Sequence, residues 1–443
     1  MSENLLPTLI RLLQRPIPGR VFRRARLHLL DWLGCAVQGY DRIGSLLSAS
    51  LRKEVSTGPC SALFSGHRDW LEALQVNAGL GNVAEMDDVH RLSTLHPGPI
   101  VVPVSLALTQ KAEGTFKDCL IAIIRGYEVA IRIGQSLGPN HYTCFHNTAT
   151  AGTPAAAAAA SSALGLNEEQ TLWALANACS RTGGLWQMRH ESVLTKQWHC
   201  IAAAIEGTMA ARLAADGLDG PASILEGDQG LYAAMAPDAR PDLLVRNPDT
   251  WLIAETSFKP WPACRHAHPA MDAARRIHRA HRPDVNAIKK ILVATYADAI
   301  AFCDNPAPET ELQARFSLQH SVSLALSGGA IGLDDFMPDN PVFDRLAELR
   351  TRVQVVEEAA FTRAYPAHFG ARVEIFQRDG ESFASTVQDA WGDPEVPMSA
   401  EDIREKSRML MLAGKMTVES AHGLQAFALD TPLSSPLAGS PLP

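Results

Sequence analysis

The stretch Ser257-Phe258-Lys259-Pro260-Trp261-Pro262-Ala263-Cys264-Arg265-His266-Ala267-His268 divides the chain into two textures. Each proline fixes its own φ and pushes the preceding residue out of the α region, so Lys259 and Trp261 sit on a stiff, extended segment. Upstream, across 1–255, apolar residues recur at three- and four-residue spacing with Gly or Pro between segments. That pattern predicts helices near 21–39, 44–55, 69–85, 101–112, 116–136, 149–164, 168–180 and 195–216. Asn167 and Gln170 form a capping box for the helix at 168–180, since Asn accepts from an orphan amide and Gln returns the bond. The run 154–163, one proline followed by alanines and serines, predicts a helix whose small side chains let a neighbouring backbone approach.

Downstream the texture changes. Residues 288–300 mix β-branched side chains with alternation, and 351–356 alternate as well. Residues 372–376 and 382–387 flank Asp379-Gly380, the two-residue signature of a type I′ hairpin. Helices at 269–279 and 317–326 accompany them. From 399 helical character returns, over 400–412 and 417–428, and 431–443 is rich in Pro, Ser and Leu, which predicts a disordered tail. The expected fold class is mainly α with a smaller α+β domain. Its parts are a helical domain over 1–260, an α+β domain over 261–398, and helices over 399–430 that rejoin the first domain.

Composition narrows the function classes. The chain has 443 residues, more than the roughly 250–300 at which single cores stop growing, so two domains are expected. A net charge of −8 without a long basic run argues against nucleic acid as a partner. A local pocket can still be positive and receive a small anion. The eight cysteines (Cys35, Cys60, Cys119, Cys144, Cys179, Cys200, Cys264 and Cys303) are scattered, with no Cys-x-x-Cys pair. Reduced thiols in a cytoplasmic protein are the simple reading. Arg11, Arg15, Arg20, Arg23, Arg24 and Arg26 give the N-terminus the look of a transit peptide. Residues 21–40, however, read as an amphipathic helix running into Leu29, Leu30, Trp32 and Leu33, so this segment is expected to be part of the fold. The alanine runs are too small and too polar at their borders to span a bilayer, and no membrane contact is expected.

The densest chemistry lies at 77–98, where Glu85, Asp87, Asp88, His90 and His96 fall within twelve positions. The run starts as a helix, and Pro97 and Gly98 end it. Helical spacing would put Asp87 and His90 on one face and Glu85 and Asp88 on an adjoining one. Asp87, His90 and His96 could bind a metal only with a donor from elsewhere. A non-catalytic alternative has Asp87 or Asp88 capping the chain reversal and His90 facing solvent. The favoured reading is a cofactor-free acid/base site with His96 as its titrating member, because imidazole titrates near working pH.

Other candidates lie further along. His141 to Thr148 precede the alanine helix, where His146 either joins an anion site at the helix N-terminus or simply caps it. Lys196, with His199, opens another apolar helix as a ligand clamp or as a solvated helix end. Lys259, Cys264, Arg265 and His266 sit at the domain junction, a common place for a substrate cleft, although a solvated linker fits too. His320 opens a helix whose default reading is a solvated face. No Gly-x-Gly-x-x-Gly, Walker loop or nucleophile elbow is present, and the glycine-rich 217–230 reads as a structured loop.

Taken in order, these pieces resemble the MmgE/PrpD family of dehydratases, decarboxylases and epimerases of small carboxylic acids. The matching stretches are Leu30-Asp31-Trp32-Leu33-Gly34, Glu85 to Arg91 through His96-Pro97-Gly98, and Phe145-His146. They continue with Lys196 and His199, Gly220-Pro221 to Leu225-Glu226-Gly227, Phe258 to Arg265, and Phe316-Ser317-Leu318-Gln319. Each motif is weak alone; the ordered set covers nearly the whole chain. The resemblance implies a helical domain formed by both chain ends, an inserted α+β domain, a homodimer, and cofactor-free chemistry on a small polycarboxylate in the cleft between the domains. Carried over position by position, it assigns Glu85, Asp88, His96, His146 and Lys196 to catalysis. It assigns His90, His199, Lys259, Cys264, Arg265 and His320 to substrate binding, with no metal. Decarboxylases of the family carry an aspartate and a threonine at the positions of Glu85 and Val89, a histidine at Cys264 and a tyrosine at His320. Those departures argue against decarboxylation of cis-aconitate. The expected activity is a dehydratase-type lyase acting on a di- or tricarboxylate such as a 2-methylcitrate-like acid. An epimerase of an iminodisuccinate-like dicarboxylate and a metal-dependent hydrolase are the alternatives.

Overall fold

The computed structural model describes residues 5–49, 51, 58–191, 193–438 and 442. The chain divides into two compact units. Unit 1 comprises Met1–Val83, Asp87–Thr256 and Ser399–Pro443; unit 2 comprises Ala84–Met86 and Ser257–Met398. The sequence-based boundary at 260/261 therefore moves to 256/257, and a three-residue piece at 84–86 joins the smaller unit.

Unit 1 is organised on one long helix, Gly19–Ala49. The sequence suggested a break near 40–43. Gly39 is instead a point of close approach: a Cβ there would lie 2.2 Å from the Leu80 carbonyl oxygen. Residues 50 and 52–55 of the expected second helix lie outside the described residues. The Leu30–Gly34 motif receives the Ala400–Ala413 helix. Asp31 pairs with Lys406 at 2.5 Å, both buried, and a Cβ on Gly34 would come within 2.9 Å of Ser407 Cα. Both ends of the chain thus meet in this unit. The Phe116–Ser136 helix packs against Gly19–Ala49; Asn147–Ala163 packs on Phe116–Ser136, and Thr195–Ala215 packs on Asn147–Ala163. The alanine run is buried as its small side chains require, and Gly207 lies against the Thr153 carbonyl. The Asn167–Gln170 capping box is formed in both directions.

Several features of unit 1 depart from the sequence reading. It is not all-helical, because β1 (Cys60–Ala62) and β2 (Gly66–Arg68) pair as a short antiparallel hairpin. A further helix spans Leu5–Leu13, its apolar residues Leu6, Leu9, Ile10 and Leu13 buried along one stripe. The tail is ordered over its first part: Phe116 N and Lys117 N donate to the carbonyls of Ser435 and Leu433, and Leu437 is buried. Those backbone bonds and that buried leucine hold a segment whose composition pointed to disorder. Residues 439–441 and 443 of the tail lie outside the described residues. Arg132, fully buried, is satisfied by Glu128 (2.7 Å) and by the carbonyls of Leu244 and Arg246, so a charge deep in the helical core is paired.

Unit 2 holds a four-stranded sheet in the order β4-β3-β5-β6, from β3 (Ile288–Thr295), β4 (Val353–Glu357), β5 (Ala371–Gln377) and β6 (Ser382–Val387). β3 runs parallel to β4 and antiparallel to β5, with Val293 opposite Val355 and Val373. Alternate residues Ile291, Val293, Val373 and Ile375 point into the core, where the His268–His281 and Leu318–Ser327 helices add Met271, Ile277, Leu318 and Val322. β3 stops at Thr295, and the Ala297–Cys303 helix takes over the alternating residues once read as strand. The β5–β6 hairpin is present, but its turn is not type I′. Gln377 N donates to Glu381 O across a three-residue loop, and only Gly380 in it has a positive φ, at 97°. A type I′ turn would require two.

Candidate active site

In unit 1 the acidic stretch is a loop, since its helix ends at Leu80. The helical-face argument for Glu85, Asp87, Asp88 and His90 therefore fails. What shapes the loop is the buried Asp88 carboxylate. Its Oδ2 takes hydrogen bonds from Tyr127 Oη (2.5 Å) and His28 Nδ1 (2.6 Å), and its Oδ1 accepts from Gly98 N (3.1 Å). Gly98 is required there, because a Cβ would lie 2.7 Å from Oδ1. Burial raises the Asp88 carboxyl to about 6, against the opposing bond from Tyr127, and the neighbouring Asp87 pushes in the same direction as burial. Burial also lowers His28 well below the usual imidazole range, with Arg24 adding to the effect.

His96 is placed by the same loop. Its Nδ1 lies 2.9 Å from the Asp88 carbonyl oxygen and 2.9 Å from Asp87 Oδ2. Two oxygen acceptors on that side put the ring proton on Nδ1 and leave the Nε2 lone pair as the basic position. The His96 side chain keeps 15% of its exposure, so a small molecule can reach it. Its backbone N–H donates to Thr148 Oγ1 (3.1 Å), and Asn147 Nδ2 binds the Ser93 carbonyl and Thr94 Oγ1, both at 2.8 Å. The loop is thereby docked on the first turn of the Asn147–Ala163 helix.

His146 occupies the N-cap position of that helix but makes no side-chain cap. Its Nδ1 instead lies 3.1 Å from His199 Nδ1, and its ring stacks on Trp186 with centroids 4.5 Å apart. One Nδ1 must carry the proton and the other accept it. Burial lowers the pKa of His199. Lys196, half-buried, lies one helical turn before His199 on the Thr195–Ala215 helix, hence on the same face. His96, His146, His199 and Lys196 are thus arranged around one helix N-terminus and the helix packed against it. Trp186, Tyr127 and His28 escaped the sequence reading. Nothing local marks them, because their partners lie 39 to 60 residues away or, for Trp186, depend on how a short 3-10 turn is folded back.

His90 is buried, not solvent-facing. Its Nδ1 meets Ser93 Oγ at 2.8 Å and closes the turn between residues 90 and 95; burial lowers it to about 3. It is a neutral side chain that holds the turn. Asp87, His90 and His96 form no metal-ligand group among the described residues. The group of such donors found among the described residues is His368, Asp389 and Glu395, within unit 2.

Within unit 2, Lys259 is almost fully buried and donates from Nζ to the Glu85 carbonyl oxygen (2.9 Å), with Glu85 Oε2 at 3.4 Å. Arg315 binds the Ala84 carbonyl. These two cations hold Glu85 at φ 53°, a left-handed conformation that costs a non-glycine residue about 1–3 kcal/mol unless its surroundings fix it. Cys264 is buried close by; a hydrogen bond with the Cys303 thiol lowers it, and Lys259 adds to the shift against burial. Arg265 is paired with the buried Asp393 and lies 2.9 Å from His268 Nδ1, so its charge is already balanced inside the fold. His320 uses Nε2 on the Asp335 carbonyl (2.9 Å) and Nδ1 on Arg350 (3.3 Å), with burial lowering it to about 4. Arg265 and His320 are therefore both engaged by partners within unit 2.

The MmgE/PrpD N-terminal domain matches residues 11–244 and the MmgE/PrpD C-terminal domain matches residues 261–423. The chain is 26% identical over 424 residues to the cis-aconitate decarboxylase-like protein oryM of Aspergillus oryzae, covering 89% of this chain and 87% of that protein. It is 27% identical over 416 residues to the cis-aconitate decarboxylase of Homo sapiens, covering 88% and 84%. A shorter similarity, 25% over 280 residues, relates it to a mitochondrial 2-methylcitrate dehydratase of Yarrowia lipolytica, covering 60% and 52%.

Proposed function

Because the chain belongs to the MmgE/PrpD family, we propose that it is a cofactor-independent lyase of the dehydratase type, acting on a small di- or tricarboxylate such as a 2-methylcitrate-like acid. The observation that carries this reading is the orientation of His96, with Nδ1 turned to Asp87 and Asp88 and Nε2 left as a base. In the proposed reaction Nε2 removes the proton next to a substrate carboxylate. Lys196 balances the enediolate charge that forms, because a fixed cation stabilises charge developing in the transition state. His146, hydrogen-bonded to His199, serves as the acid that protonates the β-hydroxyl as the C–O bond breaks, and it is reprotonated from solvent. Water and an unsaturated acid result, and His96 returns its proton to solvent. Lys259 enters the proposal through the family resemblance alone. A homodimer is part of the same proposal, and its test is the molecular mass in solution.

Epimerisation would use the same carbanion and return the proton to the opposite face. Decarboxylation is favoured by the names of the relatives, although Glu85, Val89, Cys264 and His320 depart from the decarboxylase pattern. Incubation in heavy water with citrate-, methylcitrate-, malate-, iminodisuccinate- and cis-aconitate-type acids separates these outcomes by NMR. Elimination gives an alkene, inversion gives a deuterated epimer, and decarboxylation gives a shortened acid; no turnover and no exchange with any of them would overturn the reading. On the confirmed substrate, His96→Ala is expected to lower kcat by about 10²–10⁴, the usual contribution of a positioned base. Lys196→Ala is expected to lower it as well. Stoichiometric zinc, iron or manganese in purified active protein would favour the hydrolase alternative instead.

A further inference from the structure

Unit 2 contains a cavity of about 220 Å³ walled by Trp261, Trp391, Val396 and one stripe of the His268–His281 helix. The stripe is Asp272, Arg275, Arg276 and Arg279, spaced i, i+3, i+4 and i+7 so that all four line the cavity. Three guanidinium groups face one carboxylate, in a chain whose net charge is −8. That carboxylate is already engaged: Asp272 Oδ2 lies 3.1 Å from Arg276 Nη2 and accepts from Trp391 N at 3.2 Å. Arg275 is held by the Gly329 carbonyl (3.1 Å) and lies over the Trp261 ring at 5.6 Å. Its Nε is buried without a hydrogen-bond partner among the described residues. Arg279 makes no hydrogen bond or ion pair among the described residues. Two like charges one turn apart weaken a helix, and a buried unpaired N–H is costly, so the arrangement is balanced only when something anionic is present. The indole walls reduce the local dielectric and strengthen such a contact.

We propose that this cavity binds a compact anion carrying two or more negative charges, held by Arg275 and Arg279. The carboxylates and the phosphates of small metabolites share this chemistry. None of the lining residues belongs to the acid/base set. The test titrates the full-length protein with inorganic pyrophosphate and, separately, with citrate, following heat and tryptophan emission. Saturable one-to-one binding of at least one probe is expected. Pyrophosphate alone would identify a phosphate site, and citrate alone a carboxylate site. Affinity is expected to fall at least about tenfold in Arg275→Gln/Arg279→Gln and to weaken with salt, as lost charge-assisted contacts require. Lys196→Ala, in unit 1, should leave it unchanged. Arg279→Gln alone, at an exposed position, should weaken binding without lowering Tm, which separates loss of the site from loss of the fold. Absence of saturable binding for both probes, equal affinity in the double variant, or loss in Lys196→Ala only would overturn the proposal.

Discussion

At the scale of single residues, Asp88 shows how burial and function are joined. The carboxyl titrates at about 6 in the folded protein, above its unfolded value of 3.8, because burial outweighs the bond from Tyr127. A group whose folded pKa is raised stabilises the fold below its unfolded pKa and loses that contribution as pH rises through the folded one. Asp88→Asn fixes the neutral state at every pH. The Tm of the native protein relative to Asp88→Asn is therefore expected to rise as pH falls from 7 to 4, and a flat difference would contradict the shift. His96 and His146 were legible as candidates because each stands beside a helix start or break that sequence marks. Trp186, Tyr127 and His28 were not, since a side chain's value as a partner is fixed by tertiary packing. The same cause hid the partners of Arg265 and His320: Asp393 and Asp335 carry no sequence sign of proximity.

At the scale of elements, the best-read helices are those with explicit start signals. The Phe116–Ser136 helix opens on Thr115 with a complete capping box, and its observed bounds are the expected ones. The loop at 81–97 was misread as partly helical because helix-compatible residues carry no record of the long-range bonds to Asp88 that displace a helix. Packing makes the opposite demand on the Thr195–Ala215 helix. A Cβ on Gly207 would lie 2.2 Å from the Thr153 carbonyl oxygen and 2.6 Å from Ala156 Cβ. Gly207→Ala gains about 1 kcal/mol of helix propensity but forces the two helices apart. Overpacking of this kind costs roughly 1–3 kcal/mol, so a net loss of stability is expected in the denaturant midpoint. If the helices separate, the His146–His199 contact should weaken with them, and kcat should fall together with stability.

At the scale of the whole molecule, no helix among the described residues is long and apolar enough to cross a membrane. Unit 1 is closed by the Asp31–Lys406 pair, which joins residues 375 positions apart. Burial raises Asp31 to about 6 even against the Lys406 charge. Lys406→Met leaves that carboxylate buried without its cation and is expected to destabilise the protein by about 3–5 kcal/mol. Asp31→Asn/Lys406→Met should recover part of the loss, read from urea midpoints at pH 7. That the α+β texture is interrupted and helical texture returns was legible in the sequence; that the returning helix docks on Leu30–Gly34 was legible only through resemblance, because no spacing rule links such distant segments. The docking also orders events during synthesis. At roughly 5–20 residues per second a ribosome takes several seconds to deliver the chain after residue 398. Throughout that interval the groove on the Gly19–Ala49 helix has no occupant, whereas every segment of unit 2 has already been made. A chain truncated after residue 398 should therefore be cut by protease within unit 1 and protected within unit 2. A segment translated late thus completes the unit that was begun first.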